Sequence, residues 1–390
     1  MFVATKPGAS PMSTNKLFPT VAAALVTAFT LTAAAHAASP IKAATLGKPA
    51  IKGINVISFA PGGVLLIGDG PGAQLIAVET GDTTATPWSI ARVDKIDEKL
   101  AAKLGTTAAG IEILHLSVNP ASHTAYIAVR KQDDRKHIIL TVNGAGKIGE
   151  FSLENVKHAV LPLPKSDKGA VNKITDVAWS GDRVLVGALA TEEFASKVFS
   201  FAAPLDPTAG PNSFSTETYH VAHKKWETRA PMTTLMPMEE NGKKYVVGAF
   251  ACTPVVRYPL DDLKPAGQVK GESVIELGSG NQPLNMFTYQ KDGKAYILMN
   301  THRFHHARKP FGPSPYWTVR IDSSLVNEKQ NINEKALLRL DAKGEPTAAG
   351  IKMIEAYHGV MHLDKLDATK ALALQQDAQK SLALAALDLP

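Results

Sequence analysis

The sequence predicts an all-β protein, most specifically a closed β-propeller of six four-stranded blades. Short runs rich in Val, Ile, Tyr and Leu recur in pairs around tight turns, and these pairs return at intervals of roughly 50 to 75 residues. Helical patterning is confined to one clear segment, VDKIDEKLAAKLG at 93–105. A repeated sheet buries both of its faces only by stacking against neighbours, and closing the stack into a ring also protects the sheet edges.

The paired runs are strand–turn–strand units that form the inner part of each blade. Further strand candidates between them, such as HIILTVNG and YWTVRIDSS, bring each unit to about four strands. The tail SLALAALDL is assigned to the last blade rather than to a helix. One alternative is a seventh blade within 301–350, and another is a pair of sandwiches, whose strands would follow more closely. The predicted hairpins are 54–68, 113–129, 174–188, 232–249, 284–300 and 360–375.

The first 37 residues predict a signal peptide rather than part of the fold. Lys16 precedes the apolar run LFPTVAAALVTAFTLTAAAHA, which ends in the small-residue pattern Ala35-His36-Ala37 of a signal-peptidase site. The alternative is an N-terminal membrane anchor. We therefore expect a single propeller domain over 38–390, periplasmic or secreted, with no membrane span after cleavage.

Charge and cysteine content narrow the partners and the means of stabilisation. The formal net charge of +6 is spread along the chain, and no arginine-rich run alternates with aromatic residues, so nucleic acid is not an expected partner. Cys252 is the only cysteine, which rules out an internal disulfide bond. The exported domain must therefore be held together by core burial.

The hairpins and their period resemble the secreted bacterial β-propellers of the broad WD40/YVTN-like group. The resemblance is architectural and covers roughly residues 39–390. The Trp-Asp dipeptide and Gly-His pair of true WD40 blades are absent, so the resemblance implies a fold and carries over no catalytic residues.

Propeller geometry assigns loops to faces. Adjacent strands of a blade are antiparallel, so the start of each innermost strand and the turn between the second and third strands share one face, called the upper face below. The histidine-rich segment THRFHHARKPFGPSP at 301–315 is expected there as an inserted loop. His220 and His223 map to the same face, whereas His115 and His362 lie inside innermost strands and are assigned to neither.

The upper face offers candidate metal ligands. His302, His305 and His306 could bind copper or zinc, with Cys252 completing the site from the neighbouring blade. The spacing His-x-x-His-His in a loop has low specificity, and the alternative is a set of exposed, unpaired histidines.

A second candidate site on this face is a pocket for an anion. Cationic and amide side chains would pair with a carboxylate or phosphate, and aromatic rings would form apolar walls. The alternative is that the basic side chains only solvate the rim. The candidate residues are Lys173, Arg229, Gln282, Arg303, Tyr316 and Trp317.

A third candidate is catalysis at the mouth of the channel, with His358 as base and Glu112 as its charge partner. The leading hypothesis is an exported binding or scaffold protein whose upper face takes a small anionic or metal-containing ligand or a protein partner. The alternative is a periplasmic propeller enzyme, either a quinoprotein-type oxidoreductase or a lactonase-like hydrolase. The sequence does not decide between binding and catalysis.

Overall fold

The computed structural model of the chain describes residues 39–165, 169–221, 223–252, 254–262, 267–278, 280–308, 312–327 and 349–390. These residues belong to one structural unit, Ser39–Pro390. The predicted signal peptide lies outside the described residues, as do positions 328–348 of the stretch considered for a seventh blade.

Six antiparallel sheets form the propeller, which confirms the predicted fold class. The innermost strand of each sheet pairs with the second strand across a tight turn, and these hairpins coincide with the six predicted ones. The innermost strands are β2 (Val56–Ala60), β6 (Ile111–Val118), β11 (Val171–Trp179), β16 (Met232–Glu240), β21 (Asn281–Lys291) and β25 (Val360–Lys365). The second strands are β3 (Val64–Asp69), β7 (Ala125–Lys131), β12 (Arg183–Ala190), β17 (Lys243–Phe250), β22 (Lys294–Arg303) and β26 (Lys370–Gln376).

Two further strands complete each sheet, and the blades are numbered 1 to 6 by the chain order of their innermost strands. The third strands are β4 (Gln74–Glu79), β8 (His137–Val142), β13 (Ser196–Ala202), β18 (Pro254–Pro259), β23 (Tyr316–Asp322) and β27 (Leu382–Asp388). The fourth strands, from blade 1 to blade 6, are β10 (Val156–Pro162), β9 (Ile148–Phe151), β14 (Asn212–His220), β20 (Glu272–Glu276), β24 (Ile351–Met353) and β5 (Arg92–Asp94).

Short elements decorate the outer edges. β1 (Thr45–Gly47) pairs with β10, whereas β15 (Lys225–Glu227) and β19 (Gly267–Lys270) both pair with β14. The predicted helix is α1 (Ile96–Lys103), and a second short helix is α2 (Ser324–Asn327). Single 3₁₀ turns occupy Pro61–Gly63, Ala108–Gly110, Leu260–Asp262 and Glu355–Tyr357. Within the described residues, no helix has both the length and the apolar content needed to cross a membrane.

The order of the blades around the axis differs from their order along the chain. β2 packs against both β6 and β11, and β6 in turn packs against β25. The ring therefore runs through blades 1, 3, 4, 5, 6 and 2. Each of these six junctions encloses its own cluster of buried apolar side chains. Fully burying one such Val, Leu or Ile side chain stabilises the fold by about 1.5–3 kcal/mol.

Two strands that are distant in sequence from their own blades close this ring. β5 precedes blade 2 in the chain but forms the outer strand of blade 6. β10 follows blade 2 but forms the fourth strand of blade 1. The chain thus leaves blade 1, builds blade 2 beside it, and returns to blade 1 before continuing to blade 3. Both faces of a blade are covered by neighbours, which explains why β3, with the sequence VLLIGD, is buried at every position.

Candidate functional site

A cavity of about 250 Å³ lies on the axis, where all six innermost strands contribute to its lining. The lining residues come from the middle and far ends of those strands, so the cavity occupies the part of the channel nearer the face opposite the upper face. Its apolar wall includes Phe59, Trp179, Met236 and Phe287. A concave, largely apolar space with a few converging polar groups is the usual form of a small-molecule site.

A β-bulge that recurs in the innermost strands places polar residues in this region. A shift in strand register immediately precedes one polar residue in each of five blades. Such bulges redirect a side chain and are common next to functional sites. Four of the five residues line the cavity directly, and His362 packs beside it. The five residues are His115, Asp176, Thr234, Asn285 and His362.

Asp176 joins blade 3 to blade 4. Its Oδ2 accepts hydrogen bonds from Thr234 Oγ1 at 2.6 Å and from the Leu235 N–H at 2.8 Å, and its Oδ1 accepts one from the Val177 N–H at 2.8 Å. Burial raises the pKa of Asp176 to about 6 despite these hydrogen bonds. Both carboxyl oxygens are therefore already engaged by the protein.

Asp364 makes the equivalent connection between blades 6 and 2. Its Oδ2 accepts hydrogen bonds from Ser117 Oγ and the Val118 N–H, both at 2.8 Å, and its Oδ1 accepts the Lys365 N–H at 2.7 Å. Burial raises the pKa of this carboxyl as well. Asp364 lies in the blade opposite that of Asp176 in the ring, and its charge contributes to the raised pKa of Asp176.

Two neutral imidazoles meet where blades 2 and 6 adjoin. The rings of His115 and His362 pack edge to face with their centroids 5.5 Å apart. Burial lowers the pKa of His115 to about 3, with a further contribution from His362, and burial lowers the pKa of His362 to about 4. Nδ1 of His362 has no hydrogen-bond partner among the described residues.

The tautomer of His115 follows from the contacts of Asn285. The side-chain oxygen of Asn285 accepts the Leu363 N–H at 3.2 Å, so its amide nitrogen is the atom 3.3 Å from His115 Nε2. An amide nitrogen only donates, which makes Nε2 the acceptor and places the proton of the neutral ring on Nδ1. The cavity thus presents fixed hydrogen-bonding groups without a positive charge.

On the upper face, the structure brings several predicted site segments together. The Cys252 N–H donates to the Asn281 carbonyl at 2.7 Å, and the Phe304 N–H donates to the Gly280 carbonyl at 2.9 Å. A Cβ placed on Gly312 would lie 3.4 Å from Cε1 of His358, so the far end of the inserted loop contacts the start of blade 6. The loop itself is shorter than predicted, because β22 continues to Arg303.

Three of the predicted residues form a row across blade 5. In strand register Gln282 lies opposite His302, and His302 lies opposite Tyr316, with 4.9 Å between the His302 and Tyr316 ring centroids. Burial lowers the pKa of Arg303, which lies one residue further along β22. Trp317 is buried in the core between blades 4 and 5, where its indole N–H donates to Asn281 Oδ1 at 3.2 Å. Its observed role is packing.

The predicted metal ligands are not gathered into a cluster. Nδ1 of His305 accepts from the Arg308 guanidinium at 2.9 Å, which occupies one donor atom. Burial lowers the pKa of His302 and of His306. Within the described part of the chain, the one group of three potential ligands whose donor atoms all lie within 4.8 Å is at the outer edge of blade 3. It consists of His220, His223 and Glu227.

The remaining predicted residues each have surroundings of their own. Glu112 forms an ion pair with Arg130 on its own blade rather than with His358. Lys173 and Arg229 are exposed at the starts of blades 3 and 4. His358 borders a second cavity, of about 300 Å³, between the inserted loop and blade 6. That cavity is lined by Arg92, Pro313, Ser314, His358, Gln375, Gln376, Asp377 and Ala378.

Sequence reasoning missed the polar residues of the channel. His115 and His362 were assigned to neither face, and Asp176, Asn285 and Asp364 were not selected. One signal was available, namely a polar residue recurring inside each otherwise apolar innermost strand.

Comparison with known proteins gives similarity only at the level of the fold. No family model and no curated protein matches the chain. The allergen Mala s 1 of Malassezia sympodialis is 10% identical and aligns over 86% of this chain and 92% of its own, with a TM-score of 0.37. The xyloglucan PUL protein GH43B of Bacteroides ovatus is 11% identical, aligns over 70% and 52%, and has a TM-score of 0.35. An α-L-arabinanase mutant of Cellvibrio cellulosa is 10% identical, aligns over 85% and 95%, and has a TM-score of 0.31. These TM-scores lie below 0.5, and the function proposed next does not depend on them.

Proposed function

We propose that the chain is an exported binding protein that holds a small, uncharged, polar ligand in the axial channel. The observation that carries this proposal is the convergence of all six innermost strands on one cavity with apolar walls and fixed hydrogen-bonding groups. Export rests on the predicted signal peptide alone.

The charge of the channel favours an uncharged ligand. Among the described residues that line the cavity there is no lysine or arginine, while Asp176 and Asp364 are both present. An anion would meet these carboxylates without a compensating cation, which costs free energy in a poorly solvated site. Hydroxyl or amide groups could instead exchange hydrogen bonds with groups such as Asn285 and the imidazole of His115.

Binding is favoured over catalysis at this site because the ionisable groups have structural partners. Each carboxyl accepts three hydrogen bonds from the protein, which occupy three of its four acceptor positions and hold it against the neighbouring blade. His115 is fixed as an acceptor by Asn285. These groups hold adjacent blades together and define the shape of the cavity.

The second candidate is the upper-face cavity, where an anionic ligand or a reaction could be accommodated. The observation in its favour is His358, whose Nδ1 is buried without a hydrogen-bond partner among the described residues, next to Arg92 in the cavity wall. A quinoprotein-type oxidoreductase or lactonase-like hydrolase would use this cavity, with His358 as the base. Because Glu112 is paired with Arg130, His358 would act without the charge partner predicted from the sequence.

The test obstructs one cavity at a time. Thr288→Trp narrows the axial cavity at an exposed position of its lining, and Ala378→Trp narrows the upper-face cavity at an equally exposed position. The purified chain is screened by thermal shift and calorimetry against neutral polyols, sugars and lactones, against small carboxylates and phosphates, and against small ammonium ions.

We expect a neutral compound to bind the native protein and to lose at least about tenfold in affinity in Thr288→Trp, with no change in Ala378→Trp. The opposite pattern, with anions bound and affinity lost only in Ala378→Trp, would transfer the function to the upper face. Turnover of a lactone, or of an alcohol with an electron acceptor, would establish the enzymatic alternative.

A further inference from the structure

A short hairpin at the outer edge of blade 3 holds the potential metal ligands His220, His223 and Glu227. β14 ends at His220, the chain turns through a left-handed residue at Lys224 (φ 53°), and β15 returns alongside. Thr218 lies opposite Glu227 in this pairing, so the side chains of His220 and Glu227 project from the same face of the hairpin as diagonal neighbours.

The opposite face of the hairpin fixes this geometry. Tyr219 and Trp226 pack edge to face with 5.6 Å between ring centroids, and the ammonium of Lys270 lies 4.8 Å from the Trp226 ring centroid. Ser273 of blade 4 donates a hydrogen bond to the Tyr219 carbonyl at 2.7 Å. The hairpin is therefore anchored to the propeller, and its ligand-bearing face is held in place.

The distances suit one small cation. His223 Nδ1 lies 2.8 Å from Glu227 Oε1, and His220 Nε2 lies 3.4 Å from Glu227 Oε2. Ligand atoms bound tetrahedrally to Zn²⁺ at about 2.0–2.1 Å are separated by about 3.3 Å. The three donor atoms already lie within 4.8 Å of one another, and a rotation of the half-exposed His223 would draw them together.

The state of His220 points to a ligand that is not part of the chain. Its side chain is buried, with a relative exposure of 2%, yet neither ring nitrogen forms a hydrogen bond with a described residue. Nε2 has only the 3.4 Å approach to Glu227 Oε2, so the buried ring lacks the hydrogen bonds that usually offset burial, and coordination to a metal would take their place.

Glu227 completes the donor set as an anion. Its Oε1 faces Nδ1 of His223 and its Oε2 faces Nε2 of His220. The exposed Lys225 lies 3.6 Å from Glu227 Oε1 and would be displaced by an incoming cation. Two imidazoles and one carboxylate leave a fourth coordination position open towards solvent, since His223 and Glu227 are both accessible.

We propose that His220, His223 and Glu227 bind one divalent transition-metal ion of the zinc class on the upper face, at the rim of blade 3. This site is separate from the axial cavity and from the histidine-rich loop. With three protein ligands and an open position, it has the composition of sites that bind a water molecule or an external ligand through the metal.

The test is zinc titration of the full chain after removal of metals with a chelator. We expect one Zn²⁺ per chain by calorimetry, with affinity reduced at least about tenfold in His223→Ala and in Glu227→Gln. Both positions are accessible, so neither change should prevent folding. The matched control is the triple variant His302→Ala/His305→Ala/His306→Ala, which removes three histidines from the same face and should leave zinc affinity unchanged.

Three outcomes would overturn the proposal. The native chain could fail to bind stoichiometric zinc, both single variants could bind it as tightly as the native chain, or the triple variant could lose the binding while His223→Ala retains it. The neutral compound found to bind the axial cavity is titrated into the same variants, and its affinity should not change. Failure of the metal site and failure of the proposed function are therefore distinguishable.

Discussion

The axial channel and the histidine-rich loop show two different ways in which a chain collects reactive side chains. In the loop, His302, His305 and His306 are neighbours in sequence, yet the structure does not gather their donor atoms into a cluster. In the channel, His115 and Asp364 come from segments about 250 residues apart, and both lie at the junction of blades 2 and 6. Local density in a sequence therefore says little about convergence, which the ring creates.

The two regions also differ in how firmly their groups are held. Polar side chains of the channel bridge adjacent blades, as in the hydrogen bonds of Asp176 to blade 4 and of Asn285 to blade 6. In the loop, Phe304 is one of the few large apolar side chains that remain exposed, at 46%. If this comparison is right, substitutions in the channel should affect stability and those in the loop should not.

The largest effect is expected at Asp364, where blade 6 meets blade 2. Asp364→Ala would leave the Val118 N–H and Ser117 hydroxyl without an acceptor in a poorly solvated position. We expect the free energy of unfolding in urea to fall by about 2–4 kcal/mol. Asp388→Ala is the control, because Asp388 forms an exposed ion pair with Lys370 and should leave the unfolding midpoint unchanged. Equal midpoints for the two variants would contradict the bridging role.

A smaller effect is expected from the pH dependence of His362. In the unfolded chain this histidine takes up a proton below about pH 6.5, whereas in the folded chain its pKa is about 4. Between these values the unfolded state binds more protons, so this group adds stability as pH rises from 4 to 6.5 and withdraws it as pH falls. The stability lost on His362→Gln should therefore grow over this interval by on the order of 1–2 kcal/mol.

Asp176 provides the opposite sign in the same experiment. Its folded pKa of about 6 lies above the ordinary value of 3.8, so between these values the folded state binds the extra proton and stability falls as pH rises. The stability difference between native protein and Asp176→Asn should accordingly shrink from pH 4 to pH 6. Urea unfolding at closely spaced pH values measures both slopes. Slopes of the same sign would contradict the opposite effects of pH expected for His362 and Asp176.

The sequence predicts hairpins that neighbouring residues specify, but it does not predict pairing between distant segments. All six inner hairpins were predicted, because the apolar runs and turn residues that specify each one lie within about 20 residues. The position of β5 in blade 6 and of β10 in blade 1 was not predicted, because an apolar run does not identify a pairing partner many residues away. The order of the blades around the axis was beyond reach for the same reason.

The candidate sites follow the same division. The assignment of loop 301–315 to the upper face is a prediction from strand direction, and the structure shows that Gly312 near its end lies against His358 at the start of blade 6. His220 and His223 were noticed but carried little weight, because their third partner is Glu227, brought close by the pairing of β14 with β15. His220 is buried, and neither ring nitrogen forms a hydrogen bond with a described residue. This follows from the packing of the blade and cannot be read from a motif.

The smallest effect is expected in the loop itself. Phe304 and His305 are both exposed, and the His305 side chain forms a hydrogen bond with its near neighbour Arg308. Because both side chains are exposed, the double variant Phe304→Ala/His305→Ala should change the free energy of unfolding by less than about 0.5 kcal/mol, as measured by urea unfolding at pH 7. A loss as large as that of Asp364→Ala would show that the loop is bound into the fold as tightly as the channel, and the distinction between the two regions would have to be abandoned. If the variant keeps its stability but no longer binds the ligand, the loop has a role in binding. The two substituted side chains would then act through contacts with the ligand and not through the fold.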